Sequence, residues 1–273
     1  IPQTDVTPNN LTVSCTGSAN KSASVCVGID AGTGSGSTTA DRTMSLAGSN
    51  VHYEIYITAG RTTVWGSTAG ADEAQLAIVL DSSGNFTGSF PMYGRISAQA
   101  SEPGGTYTSI LNVTGTGHKG GASCNAGGTV ATGNSFAAKV NLGVSCTIST
   151  SDINFGSVSS LTAAIPGSSS LSVNCTNGAA YTIAMNAGTT TGNTVAARKM
   201  SLNGAGAGVV GYQLYQSNSP LSIPWGDGTG GTFTEIGTGT GSTQTIPVYA
   251  QIPIQPTPTV GAYKDTVTAT ITY

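Results

Sequence analysis

The first half of the chain recurs, block by block, in its second half. Seven short blocks match between the halves and occur in the same order in both. Matches in a fixed order indicate a duplicated domain. The sequence therefore predicts two domains of one fold, at residues 1–134 and 135–273. The matched blocks are residues 11–15 and 171–175, 27–32 and 183–188, 42–46 and 198–202, 53–56 and 212–215, 65–66 and 225–226, 90–93 and 246–249, and 105–107 and 261–263.

The repeated blocks have the pattern of β-strands. From Tyr263 to Tyr273 a mostly apolar residue alternates with Lys or Thr, which is typical of an antiparallel strand with one buried face. Turn-forming pairs such as Asp227-Gly228 separate the blocks, and no long segment keeps the helical period. We therefore expect an all-β chain with two immunoglobulin-like β-sandwich domains in tandem.

The composition narrows the class of protein further. Disordered chains combine low hydrophobicity with high net charge, whereas here 38% of residues are hydrophobic and the net charge is -3. The nine Lys and Arg residues are scattered, so we expect no nucleic-acid partner. No segment approaches the roughly 18 apolar residues that a membrane helix needs.

The five cysteines indicate disulfides rather than a metal site. None of them forms a CxxC pair, and the histidines, His52 and His118, are far apart in sequence. The spacing therefore predicts no metal or cofactor. Disulfides form in oxidising compartments, so we expect a secreted protein.

The repeat suggests how two of the cysteines pair. Cys15 and Cys175 occupy matching positions, and Ile1 then falls opposite a point well inside the second repeat. The second repeat has an upstream Cys146, which we expect to pair with Cys175. By the same register, we expect Cys15 to pair with a cysteine in a segment before Ile1.

The two remaining cysteines, Cys26 and Cys124, have no counterparts in the second repeat. We therefore expect them to pair with each other. The competing scheme joins Cys15 to Cys26 and leaves Cys124 free.

The second repeat has no counterpart to the end of the first. After the strand that begins at Tyr107, the first repeat has further residues, including 128–131, which can supply a closing strand. We expect the second domain to lack its last strand and to have an open groove with a free strand edge. The alternative is a domain that has fewer strands or borrows one from the first repeat. The expected groove residues are Val267, Ala269, Ile271 and Tyr273.

Several of these blocks together resemble the spore-coat-U domain family. The matching features are Cys146 with residues 154–156, the blocks at 171–175, 198–200, 212–215 and 225–226, and the ending from residue 261 with its alternating Thr. The resemblance covers residues 146–273 closely and residues 1–117 more loosely. Domains of this family build archaic chaperone–usher pili, such as the Csu pilus of Acinetobacter.

The resemblance implies a function and a set of partners. A chain with two such domains looks like a pilus tip adhesin, secreted through the periplasm to the cell surface. The C-terminal domain would be an incomplete pilin, capped by a periplasmic chaperone and then by the donor strand of the next subunit at an outer-membrane usher. The N-terminal domain would bind an abiotic or host surface, in biofilm formation for example.

The resemblance also suggests where that surface would bind. Adhesins of this kind are thought to attach through hydrophobic loops, and the first repeat differs from the second mainly in its loops. An exposed apolar loop binds by burial at about 25 cal/mol per Å². The alternative is that residues 76–80 form a buried strand, as short apolar runs often do. The candidate residues are Ala69, Ala71, Leu76, Ile78, Val79, Val6 and Val130.

Three other classes compete with an adhesin. Catalysis needs a positioned acid, base or nucleophile, and the two isolated histidines and scattered carboxylates assemble none, so we expect no enzyme. A glycan-binding fimbrial lectin would use Trp65, Tyr93 or Tyr107 for stacking. However, Trp65 and Tyr93 match aromatic residues of the second repeat, which favours a role in the core. The third class is a non-adhesive structural pilus or coat subunit.

Overall fold

The structure is a computed structural model that describes residues 4–5, 9–67, 73–121, 123–124, 128–204, 208–218 and 221–273. Among these residues every regular element longer than one residue is a β-strand, so the expected all-β class is confirmed. None of them belongs to a helix long and apolar enough to cross a membrane.

The chain divides into two compact units, residues 1–143 and 144–273. We call them unit 1 and unit 2. The expected boundary after residue 134 is wrong, because it cuts a strand at Thr129–Leu142 that pairs with the strand Gly105–Lys119. Gly133 and Asn134 resemble a turn in the sequence. In the structure they lie at an irregularity in this pairing, opposite Asn112 to Thr114.

Unit 1 is a single folded sheet. Its sheet order is β1-β7-β5-β4-β8-β3-β6, with β2 also paired to β7 and β9 also paired to β8. The core contains apolar side chains from β3, β5 and β8, such as Val27, Val51 and Leu111. The strands are β1 (Thr4–Asp5), β2 (Asn9–Thr16), β3 (Ser22–Ile29), β4 (Arg42–Leu46), β5 (Ser49–Tyr56), β6 (Ala74–Val79), β7 (Asn85–Ile96), β8 (Gly105–Lys119) and β9 (Thr129–Leu142).

Unit 2 has two sheets with the orders β10-β11-β16-β14-β13-β17 and β15-β12-β18. Both sheets contribute to one core, for example through Val173 of β11 and Ile183 of β12. The strands are β10 (Cys146–Thr150), β11 (Ile165–Cys175), β12 (Ala180–Met185), β13 (Arg198–Leu202), β14 (Val209–Tyr215), β15 (Glu235–Thr238), β16 (Thr243–Ile252), β17 (Tyr263–Lys264) and β18 (Ala269–Thr272).

The repeat in the sequence is also a repeat in the structure. Trp65 and Trp225 are both fully buried, and each donates its indole N–H to a strand carbonyl, at 2.7 Å in unit 1 and 3.1 Å in unit 2. Arg42 and Arg198 are also buried, at matching positions. A buried tryptophan whose N–H is hydrogen-bonded adds a large apolar side chain to a core without leaving a polar atom unpaired. Each unit therefore has its own core with the same tryptophan at its centre.

The two expected disulfides are present. Cys26 is bonded to Cys124, and Cys146 to Cys175. The competing pairing of Cys15 with Cys26 is therefore wrong. Cys15 is free and half-buried on β2. Its pairing with a cysteine before Ile1 remains a prediction.

Candidate functional site

In unit 1, strand β9 fills one side of the core. It pairs with β8 in an antiparallel register from Gly105 opposite Leu142 to Gly117 opposite Thr129. Every second side chain of its later half is half-buried and packs on the core, while those between are exposed. The inward side chains are Phe136, Ala138, Val140 and Leu142. The closing strand expected after the first repeat is thus present, and it extends well beyond residues 128–131.

In unit 2, the strands that match β8 are β17 and β18. Each has one neighbour, because β17 pairs with β13 and β18 pairs with β12, and each is the last strand in its sheet. No described strand occupies the side on which β9 lies in unit 1. An unpaired edge of this kind is a template for an added strand.

A large open cavity lies beside this edge. Its volume is about 1080 Å³, slightly above the roughly 300–1,000 Å³ of small-molecule pockets. Residues 150–161 form part of its lining and residues 257–267 another part. Apolar core side chains also line this groove. These side chains include Met185, Met200, Val210, Leu214, Val248 and Ile252.

Of the four groove residues expected from the sequence, two line the cavity, namely Val267 and Ala269. Ile271 is half-buried, packs on the core and lies opposite Ile183 in the register of β18 with β12. Tyr273 is 58% exposed and lies outside the lining, so the structure corrects its place in the groove. Tyr273 comes after Thr272, the last residue of β18, so strand pairing no longer orients its side chain toward the core.

The segment at residues 151–161 was not among the groove residues expected from the sequence, although residues 154–156 carry part of the family resemblance. It has no strand pairing along most of its length, so no periodic pattern marks it. Phe155 nevertheless packs against the core and makes an edge contact with the ring of Tyr212, with 6.4 Å between the centroids. In the sequence, the alternate apolar residues Ile153 and Phe155 and the later Leu161 are signals for it.

A charged hydrogen-bond cluster anchors the groove edge to the loop at residues 186–193. The carboxylate of Asp265 accepts hydrogen bonds from the hydroxyl of Tyr212, at 2.7 Å, and from the backbone N–H groups of Thr189 and Thr190, each at 2.9 Å. The loop approaches so closely at Gly188, where φ is +92°, that a Cβ there would lie 2.0 Å from an Asp265 oxygen. Only glycine fits that contact.

The cluster sets the charge state of Asp265. Burial alone would raise its pKa, but the hydrogen bonds from Tyr212, Thr190 and Thr189 lower the pKa below its usual value. Burial and the same hydrogen bond raise the pKa of Tyr212, which therefore stays a proton donor. Asp265 is thus an anion that holds the free strand against the loop.

We expect Asp265→Asn to lower the free energy of unfolding of unit 2 by about 2 kcal/mol at pH 7. Hydrogen bonds to a charged group are worth about 1.5–3 kcal/mol. The expected loss is in the lower part of this range because Asp265 is only half-buried. The lowered pKa means that the wild type gains this stability above the unfolded pKa of about 3.9 and loses it as the pH falls through the folded value. Calorimetric melting at pH 7 and pH 3 tests both points. Equal melting temperatures for wild type and variant at pH 7 would contradict the assignment.

The candidate surface residues of unit 1 lie in different environments. Ile78 is 4% exposed and Leu76 is half-buried, because strand β6 turns both toward the core. The expected loop at residues 76–79 is therefore wrong, and the buried-strand alternative holds for these two. Val79 and Val130 are exposed, at 64% and 66%. The remaining candidates, Ala69, Ala71 and Val6, lie outside the described residues.

Val79 and Val130 share one face of the sheet. Val130 lies opposite Thr116, Thr116 opposite Cys26, and Cys26 opposite Gln75, so these residues project to the same side. Val79 is on the side of Gln75, since the two are an even number of residues apart on β6. The core-facing residues of β3, such as Val25 and Val27, point the other way. Val79 and Val130 thus belong to the outward face of unit 1.

The fold resembles solved structures of low sequence identity. One is a chain in the crystal structure of the CsuC–CsuE chaperone–tip adhesion subunit pre-assembly complex from archaic chaperone–usher Csu pili of Acinetobacter baumannii. It is 17% identical, with a TM-score of 0.53, and the match covers 97% of this chain and 92% of that one. The CupB6 tip adhesin of Pseudomonas aeruginosa is 14% identical, with a TM-score of 0.44 and coverage of 99% and 88%, and this weaker likeness carries no argument.

The sequence also matches a protein family. No curated protein matches it. The family profile described as the Spore Coat Protein U domain matches residues 2–114 and again residues 132–270. These two matches cover most of both units and agree with the internal repeat. The chain therefore belongs to the Spore Coat Protein U domain family.

Proposed function

We propose that the chain is the tip adhesin of a bacterial chaperone–usher pilus. Unit 2 is the pilin-type domain that accepts a strand from another protein, and unit 1 is the adhesin domain that attaches to a surface. The observation that carries the proposal is the contrast between the two units. Strand β9 covers the core of unit 1, whereas the matching side of unit 2 is an open groove, lined in part by apolar core side chains, beside two strands that each have one unpaired edge.

An added strand would cover both the free strand edge and the groove of unit 2. Its backbone would pair with the free edge of β17 and β18, and its alternate side chains would fill the groove. Unit 1 supports this arrangement, because β9 makes the same kind of pairing and places four apolar side chains on the core. The donors would be a periplasmic chaperone first and then the next subunit at the outer-membrane usher. The similar Csu structure is a chaperone complex, which agrees with this order.

We expect Val267→Asp to prevent strand addition. Val267 lines the groove, so a carboxylate there would lose its hydration when a strand covers it, at a cost of several kcal/mol. The measurement is the yield of the complex when the full chain is co-expressed with its periplasmic chaperone. We expect at least a tenfold loss of complex for this variant.

The matched control is Thr270→Asp. Thr270 is on the same segment but faces outward and is exposed, so the new carboxylate stays in water. This variant should form the complex at the wild-type yield. If both variants formed it equally well, strand addition at the groove would be refuted.

We place surface attachment on the outward face of unit 1. Val79 and Val130 are large, exposed and on the same side of the sheet, which suits binding to an apolar abiotic surface. The lectin alternative has less support, because Trp65 and Tyr107 are fully buried and cannot stack on a sugar.

We expect the double variant Val79→Asp and Val130→Asp to reduce adhesion of assembled pili to polystyrene by about tenfold or more, since burial of one such side chain is worth about 1.5 kcal/mol or more. Ile110→Asp is the control. Ile110 is 46% exposed on the same face, about 20 Å along β8 from the partner of Val130, so it tests whether any exposed apolar side chain of this face contributes equally. Normal adhesion of the double variant would favour a non-adhesive structural subunit or another binding surface.

A further inference from the structure

Strand β9 of unit 1 is a template for the strand that unit 2 would accept. It runs antiparallel to β8, and every second side chain of its later half packs on the core. In unit 2 the segment that contains β17 and β18 matches β8. An added strand in the register of β9 would therefore place its inward side chains at known positions of the groove. In β9 these side chains are large, small, branched and large in turn, namely Phe136, Ala138, Val140 and Leu142.

A pair of tyrosines fixes how the register transfers between the units. Tyr107 and Tyr263 match in the repeat. Each donates its hydroxyl to a backbone carbonyl four residues earlier, Pro103 at 2.9 Å and Thr259 at 2.7 Å. Val140 lies opposite Tyr107. The position of an added strand that lies opposite Tyr263 thus corresponds to Val140.

The residues that an added strand would lie against are less buried in unit 2. Tyr107 and Leu111 are fully buried in unit 1, and both lie opposite inward residues of β9. Their matches in unit 2, Tyr263 and Val267, are half-buried and line the groove. A strand in the same register would have a large apolar residue opposite Val267 and a branched one opposite Tyr263.

The position between these two differs in kind between the units. In unit 1 it is Ser109, which is buried and lies opposite Ala138. In unit 2 it is Asp265, which is half-buried in the lining of the groove. Directly opposite residues of an antiparallel pair have their Cβ atoms about 4.5–5.5 Å apart. An aspartate is larger than a serine, so less room remains for the residue of an added strand that faces it.

The carboxylate of Asp265 is held in place from both of its oxygens. Oδ1 accepts hydrogen bonds from the backbone N–H groups of Thr189 and Thr190, each at 2.9 Å. Oδ2 accepts hydrogen bonds from the hydroxyl of Tyr212 at 2.7 Å and the side-chain amide of Asn193 at 3.1 Å. Turning the side chain away would break these bonds and leave a charge without partners. A large apolar residue opposite it would therefore meet a fixed charged group and remove its remaining water.

We propose that Asp265 restricts the facing residue of a donor strand to a small side chain. The groove then selects an antiparallel strand in which Gly, Ala or Ser stands between a large apolar residue two positions before it and a branched apolar residue two positions after it. This inference rests on the proposed function and names the kind of strand that unit 2 accepts. Asp265 acts by excluding other strands, which is a common source of specificity.

The test uses the full chain with a copy of residues 118–142 added directly after Tyr273. Calorimetry gives the melting temperature of unit 2. In the added copy, Ala138→Leu places a large side chain opposite Asp265 and should remove about half or more of the rise that the unchanged copy gives, because overfilling a packed site is destabilising. The matched control is Ala137→Leu in the copy. Ala137 is the neighbouring residue and faces outward, so this change should keep the rise.

Two changes in unit 2 separate the size of Asp265 from its charge. Asp265→Ser restores the residue of unit 1, so Ala138→Leu in the copy should then cost no more than Ala137→Leu. Asp265→Asn keeps the size, so the cost of Ala138→Leu should remain. Each copy is compared with the unchanged copy in the same background, which removes the effect of the Asp265 change itself.

The outcomes distinguish this inference from the proposed function. No rise with the unchanged copy would refute strand addition at the groove, and this inference with it. A rise that Ala138→Leu and Ala137→Leu preserve equally would overturn the role of Asp265 and leave strand addition intact. The same holds if the cost of Ala138→Leu persists in Asp265→Ser. The comparison of the two leucine changes in the wild-type background decides the question even if Asp265→Ser fails to fold.

Discussion

Adding a copy of residues 118–142 directly after Tyr273 should raise the melting temperature of unit 2 by about 10 °C or more. Tyr107 and Tyr263 match in the repeat, so Tyr273 matches Gly117, and the added segment continues the chain as it does in unit 1. It contains strand β9, whose alternate apolar side chains pack on the core of unit 1. Four such side chains entering the groove would stabilise unit 2 by several kcal/mol after the cost of ordering them.

The shift should appear in calorimetry as an upward movement of one unfolding transition, that of unit 2. The matched control has the same addition with Phe136, Ala138, Val140 and Leu142 replaced by Asn in the added copy only. It has the same length and linker but no apolar face, so it should melt like the wild type. An equal shift for both additions would mean that the groove does not select an apolar strand.

The second large effect concerns the buried arginine of unit 1. Arg42 is 0% exposed and donates to the carboxylate of Glu54 and to the carbonyls of Ile29, Trp65 and Asp30, at 2.8, 2.6 and 2.9 Å. Arg42→Met should destabilise unit 1 by about 3–5 kcal/mol, because it leaves Glu54 as an unpaired buried charge. Urea unfolding of the full chain measures this as a loss in the transition of unit 1 alone.

Glu54→Gln is the control, and unit 2 explains why it should be tolerated. There Gln213 takes the matching position, accepting a hydrogen bond from Arg198 and the backbone N–H of Leu214, as Glu54 does from Arg42 and Ile55. Burial raises the pKa of Glu54, so the buried site favours its charge less than water does. We expect a change within about 1 kcal/mol. A loss as large as that of Arg42→Met would show that the charge itself is required.

The repeat made much of the fold predictable. Blocks that match in sequence occupy matching places, as the buried Trp65 and Trp225 show. The alternation after Tyr263 predicted which side chains are half-buried as far as Ile271, but not Tyr273. The pairing of Cys26 with Cys124 also followed, because neither has a counterpart in unit 2.

The remaining features depend on contacts that no local pattern contains. A short apolar run such as residues 76–79 reads equally well as a loop or a strand, and only the pairing of β6 with β3 decides between them. The partners of Asp265 on the loop at residues 186–193 lie more than 70 residues away. His118 looks isolated in sequence, but the register of β8 with β3 places it opposite Ser24, where it is buried.

The Cys146–Cys175 disulfide has a mechanical consequence. Strand β9 ends at Leu142 and β10 begins at Cys146, so a tensile load on unit 1 enters unit 2 through residues 143–145. The load meets Cys146 first and passes through its covalent bond directly to the end of the long strand β11. The hydrogen bonds between β10 and β11 are thereby bypassed. Unit 2 can therefore carry tension without separation of β10 from β11. After reduction of the Cys146–Cys175 disulfide, the hydrogen bonds between β10 and β11 would carry the load and could break one pair at a time.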